Sequence, residues 1–78
     1  MRARRKPTPR QLLVLDTYAA TGSYKITAYQ LGIGVETVRT TLARVRCRYG
    51  ARTTIQAYRA ALRAGDLRPT VRGIAASG

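Results

Sequence analysis

Leu31-Gly32-Ile33-Gly34-Val35-Glu36-Thr37-Val38-Arg39-Thr40-Thr41-Leu42-Ala43-Arg44-Val45-Arg46-Cys47-Arg48-Tyr49-Gly50 is the stretch that decides the fold. Val38, Leu42, Val45 and Tyr49 fall at i, i+4, i+7 and i+11, a spacing that lines up one apolar stripe along a helix. It predicts a helix over about 35–49. Gly32 and Gly34 permit a tight turn before that helix, and Ile33 between them is apolar enough to be buried. Gly50 ends the helix with the left-handed residue favoured there. Half a turn from the apolar stripe stand Glu36, Thr40, Ala43 and Cys47, with Arg39 flanking them and Arg44, Arg46 and Arg48 on the shoulders.

Outward on the N-terminal side, Ser23 is placed to cap a short helix through Leu31. Ala28 and Leu31 mark its inner face, with Tyr24 or Thr27 contributing. Further back, Thr8-Pro9-Arg10-Gln11 reads as a capping box with proline at the first helical position. A helix follows to about residue 20, with Val14, Leu15, Tyr18 and Ala19 expected on its inner side. On the C-terminal side, Thr53-Thr54-Ile55-Gln56 is a second T-x-x-Q box. It opens a helix over about 54–64 that Gly65 stops, with Ile55, Tyr58, Ala61 and Leu62 on its apolar side. Residues 1–7 form a basic arm without periodicity, residues 8–67 the domain, and residues 68–78 a flexible tail rich in Pro, Gly and Ser. The expected class is all-α.

Seventy-eight residues suffice for one domain. A chain so short buries only about 60% of the surface that it exposes when unfolded, so completion of the core by dimerisation would be no surprise. Ala, Leu and Val dominate the apolar residues, and Trp and Phe are absent. That composition favours closely packed helices over a large β-core. Fifteen bases against three acids give a formal charge of +12, and every base but Lys6 and Lys25 is arginine. Such an imbalance calls for a polyanion, nucleic acid ahead of an anionic membrane surface. Arginine also suits phosphate oxygens and the guanine edge.

Cys47 is single and histidine is absent, which excludes a disulfide framework and a zinc finger within one chain. No apolar run reaches the roughly 20 residues of a membrane span, and the basic start lacks the apolar stretch of a signal peptide. A cytoplasmic, nucleoid-associated location is expected, with no cofactor, metal, membrane or small-molecule ligand. Asp16 and Asp66 form no carboxylate pair, and neither a nucleophile–base pair nor a phosphate-cradling glycine loop is evident. An enzyme is not expected.

A short helix, a glycine-containing turn and a second helix make a helix-turn-helix, whose second helix enters the major groove of duplex DNA. Here the second helix would bring small residues to the bases and the Arg44, Arg46 and Arg48 shoulders to the phosphate walls. Thr8-Pro9-Arg10, Ser23-x-Lys25, Ala28, Leu31-Gly32-Ile33, Thr37-Val38-Arg39, Leu42, Arg44, Gly50 and Arg52 occur in the order and spacing of the LuxR/GerE-type helix-turn-helix domain. The resemblance runs without a gap over about 7–67. It implies a four-helix domain, sequence-selective duplex binding and transcription regulation, commonly as a homodimer on two half-sites. Members similar to GerE consist of this domain alone.

Carried over by position, the resemblance puts Arg39, Thr40 and Ala43 against bases and Lys25, Thr37, Arg44 and Arg52 against phosphates; Arg48 joins the phosphate set as a shoulder residue. It makes the fourth helix, with Ala57, a dimerisation helix, whose interface would be Ile55, Tyr58, Ala61 and Leu62. The sequence departs from the family at three places. Thr27 stands for a buried Ile, Gly34 for the usual Ser cap, and Leu12 and Leu13 for charged residues.

Other readings remain. The last DNA-binding region of bacterial sigma factors has a similar Gly-Ser-Tyr…Leu-Gly-Ile…Thr-Val-Arg…Leu pattern, and such a module would act by docking on RNA polymerase through Leu12 and Leu13. A charge-driven binder of structured RNA, or of nucleic acid generally, is the third reading. At the level of residues, Arg39 is either a base reader or a phosphate clamp. Tyr24, Tyr29 and Tyr49 are placed to pack in or beside the core rather than to stack on single-stranded bases. Cys47 is an inert small residue, or a thiol activated by Arg46 and Arg48. The arm Arg2, Arg4, Arg5, Lys6 either enters a minor groove or adds nonspecific attraction.

Overall fold

Local capping chemistry sets the helix boundaries. Thr8 Oγ1 accepts from the Gln11 backbone N–H, and Gln11 Oε1 accepts from the Thr8 N–H, both at 3.1 Å, which completes the box expected there. Ser23 Oγ accepts from the Ile26 N–H at 3.1 Å. Thr53 Oγ1 caps Gln56 in the same way, but Gln56 Oε1 accepts from the Arg52 N–H at 3.0 Å. The second box is therefore one-sided: its glutamine reaches one residue further back than the pattern suggests. The helices that result are α1 (Pro9–Thr21), α2 (Tyr24–Leu31), α3 (Val35–Tyr49) and α4 (Thr54–Ala64). The computed structural model describes residues 6–68, and within them there is no strand. The expectations for residues 1–5 of the arm and 69–78 of the tail lie outside the described residues.

α3 is the central element and touches the other three. Its stripe Val38, Leu42 and Val45 is completely buried against Val14 and Leu15 of α1, Ala28 of α2, and Ala57 and Ala61 of α4. Tyr18, Tyr24, Leu31, Ile33 and Tyr49 pack around this centre, half-buried. Gly32 makes the turn possible: its φ of 68° is a left-handed conformation that a side chain would strain.

The structure corrects several inner-face expectations. Ala19 is exposed and Thr17 is buried in its place. Tyr29, expected in or beside the core, is 85% exposed. On α4 the inward positions are Ala57 and Ala61, whereas Ile55 turns outward at 56% exposure. Ala61 was expected on that side, and Tyr58 packs against the core too, but the second buried position is Ala57 rather than Ile55. Leu12, of the leucine pair, packs on the core, while Leu13 is exposed.

Thr27 has no exposed surface at all, and its hydroxyl lies 2.8 Å from Thr21 Oγ1. A buried hydroxyl without a partner costs about 1–3 kcal/mol, so this pair is what makes threonine tolerable at that position.

The ends of the domain are tied by a carboxylate. Asp66, with its side chain only 9% exposed, lies 3.4 Å from Lys6 Nζ and accepts a 2.7 Å hydrogen bond from the Tyr49 hydroxyl. Lys6 is exposed but pairs with the folded domain, and Pro7 is buried against it. Burial raises the Tyr49 pKa well above its ordinary value, and the hydrogen bond to Asp66 and its negative charge push the same way. Tyr49→Phe is expected to cost about 1–3 kcal/mol in urea unfolding, because the largely buried Asp66 carboxylate loses a hydrogen-bond donor. The raised pKa gives the phenol a stabilising contribution that is complete below the unfolded value of about 10 and lost as pH climbs above it. Wild type should therefore show a step of alkaline destabilisation that Tyr49→Phe lacks; identical alkaline profiles would remove the phenol from the account.

Candidate nucleic-acid interface

With one side of α3 committed to the core, its other side is left to solvent. Glu36, Thr37, Arg39, Thr40, Ala43, Arg44 and Cys47 are all exposed. This is the face that the sequence pattern set opposite the apolar stripe. Thr40 and Ala43, one turn apart, give it a small, low middle. Arg39 and Arg44 rise beside them.

Between the start of α1 and the first turns of α3 lies an open cleft of about 330 Å³, lined by Gln11, Glu36, Thr37, Thr40, Thr41 and Arg44. Three hydroxyls, an amide and a guanidinium converge there against one carboxylate. Such a set can donate several hydrogen bonds to an anionic oxygen, with Arg44 adding charge. Among the described residues, no ion pair or hydrogen bond engages the Arg44 side chain. The cleft brings together Thr37, Thr40 and Arg44 from the expected contact residues. Sequence reasoning missed Gln11 and Thr41. Thr41 was accessible to it, since Thr37, Thr41 and Arg44 repeat at i, i+4 and i+7; Gln11 was already assigned to the cap of α1.

The other expected contacts lie outside the cleft. Lys25 is exposed in the first turn of α2, and Arg52 is exposed in the α3–α4 connection. Arg48 is half-buried, and its Nε is buried without a hydrogen-bond partner among the described residues, so part of this guanidinium is turned from solvent. Arg46, a shoulder residue in the sequence pattern, donates from Nη1 to Thr54 Oγ1 at 3.1 Å and ties α3 to the start of α4. Arg39 is more restrained than its exposure suggests. Its Nε is 4.0 Å from Glu36 Oε2, and its guanidinium carbon sits 5.3 Å over the Tyr24 ring.

Gly34 holds the N-cap of α3 and supplies no side-chain hydrogen bond. Its φ of −77° is ordinary for any residue, and an added Cβ would meet only Thr37 Oγ1, at 3.9 Å. Gly34→Ser is therefore expected to stabilise the domain by about 0.5–1 kcal/mol, through the missing cap and a less free unfolded chain. The check is a higher urea midpoint at unchanged slope, and a lower midpoint would contradict it.

Of the expected dimer residues on α4, Ala61 is completely buried within the chain and has no surface to offer a partner. It is removed from that set because it faces α4's own core. Ile55, exposed, and the half-buried Tyr58 and Leu62 remain, with Tyr58 also packed against the core.

What the fold and this face define is an all-α four-helix domain with a basic, outward-facing third helix. Among the described residues, no helix is long and apolar enough to cross a membrane. Comparison with protein-family models, with curated proteins and with solved structures finds no match for this chain.

Proposed function

We propose that the chain is a sequence-selective duplex-DNA-binding transcription regulator with a LuxR/GerE-like helix-turn-helix. In this reading α3 enters the major groove, with Arg39, Thr40 and Ala43 toward base edges. Lys25, Thr37, Arg44, Arg52 and the exposed part of Arg48 meet phosphates. Ile55, Tyr58 and Leu62 of α4 join two copies on two half-sites.

One observation carries the reading. The central helix buries one side in the core and leaves the other, small in the middle and arginine-bearing beside it, exposed. A groove-inserting helix needs that division: low side chains where its axis nears the base edges, and long cations where the backbone walls rise. The charge of +12 supplies the long-range attraction.

Selection of bound sites from a random duplex library tests the proposal. A palindromic motif with half-sites about 10–10.5 base pairs apart, or a multiple of that, is expected for a symmetric pair. Absence of any enrichment would sink it. Tighter binding to RNA hairpins than to every duplex would replace it with the charge-driven reading.

A further inference from the structure

On the exposed α3 face, Arg39 meets an aromatic ring. Its guanidinium carbon lies 5.3 Å over the ring of Tyr24, the first residue of α2. Tyr24 is in turn stacked on Tyr18 of α1, with ring centroids 5.0 Å apart and planes 22° from parallel. A ring from α2, backed by one from α1, thus supports an arginine of α3. The Glu36 carboxylate on its own helix adds little, because its side chain is 89% exposed and the 4.0 Å separation is at the edge of an ion pair. The ring is the stronger restraint: its face carries partial negative charge, and it is half-buried and held from behind by core packing.

We propose that Tyr24, held by Tyr18, is a positioning residue that parks the Arg39 guanidinium in the orientation from which it reads a base edge. An arginine free in solvent samples many rotamers and gives most of them up when a base fixes it. One already resting on an aromatic face has given up part of that freedom before DNA arrives, so more of the contact appears as preference for the right base. Among the described residues, the terminal guanidinium nitrogens of Arg39 make no hydrogen bond, so the shelf restrains the group without occupying the atoms that guanine O6 and N7 would engage. Arg44, which makes no cation–π contact among the described residues, is left by the same argument as a mobile phosphate ligand. The inference rests on the DNA-binding reading above.

The test compares wild type, Arg39→Ala, Tyr24→Phe and Tyr24→Leu on a selected site, its single-base variants and a scrambled duplex. Tyr24→Leu is expected to reduce discrimination about two- to fivefold at the base position that Arg39→Ala also affects, with affinity for scrambled duplex unchanged. Tyr24→Phe keeps the ring face and should retain the discrimination. In the free wild-type protein, ring current should move the Arg39 side-chain proton resonances upfield, and Tyr24→Phe should preserve that shift. The wild-type spectrum keeps the idea testable even if Tyr24→Leu fails to fold: unshifted Arg39 resonances overturn the shelf. If Arg39→Ala weakens every duplex equally, base reading by Arg39 itself is overturned. If Arg39→Ala is selective and a folded Tyr24→Leu is not, only the positioning role falls.

Discussion

Leu42→Ala is expected to cost about 2–5 kcal/mol of unfolding free energy, the range for emptying a buried leucine site in a well-packed core. Leu42 has no exposed surface and lies mid-way along α3, the helix that every other element packs against. A cavity there faces several elements at once, so no single side chain can relax into it, which puts the cost toward the upper end. A domain of this length holds about 4–12 kcal/mol in total, small domains toward the lower end. The variant should therefore lose a large share of its stability, read as a much lower urea midpoint. Ala43→Ser, one residue along on the exposed face, should stay within about 0.5 kcal/mol of wild type. If the two variants cost the same, α3 is not turned as described.

That contrast between neighbours was legible in the sequence because it depends on one helix's own period. The same holds for the helix ends. Thr8, Ser23 and Thr53 cap, and Gly32 and Gly50 terminate, through contacts that span at most a few residues. What the sequence hid is what crosses between helices. On α4 the expected side Ile55, Tyr58, Ala61 and Leu62 is rotated from the observed one: Ala57 and Ala61 are buried, Tyr58 packs on the core and Ile55 is exposed. The rotation is set by the surface that α4 docks on, and nothing within α4 records it. The Tyr49–Asp66–Lys6 link joins residues far apart in the chain. Asp66 read only as an acid without catalytic company. The exposed face of α3 was legible, but its restraint was not: Tyr18 and Tyr24 looked like core aromatics, and only the packing of α1 on α2 and α3 brings the Tyr24 ring, backed by Tyr18, beneath Arg39.

On the proposed reading, affinity for duplex DNA should fall steeply with salt, and two arginines on one helix should fail in different ways. Lys25, Arg44, Arg48 and Arg52 are the charged residues assigned to phosphates. Four neutralised phosphates give a slope of log K against log salt near −3.6, at about 0.9 per contact, so affinity drops roughly a hundredfold between 50 and 200 mM salt. A pair of copies on two half-sites would double the slope. Arg48 is the weakest member of the set, since its Nε is buried, and its loss would bring the slope toward about −2.7 per copy. Arg44→Ala removes an exposed charge beside the threonine cleft. It should flatten the slope by about 0.9 and weaken preferred and scrambled duplexes alike. Arg39→Ala should instead cost about 1–3 kcal/mol on the preferred site and far less on scrambled DNA, because a base contact is lost only where the base is right. The comparison separates grip from readout within one turn and a half of α3. Equal losses for both variants on all duplexes would leave a phosphate-binding helix without a reader, and the selectivity would have to come from DNA shape.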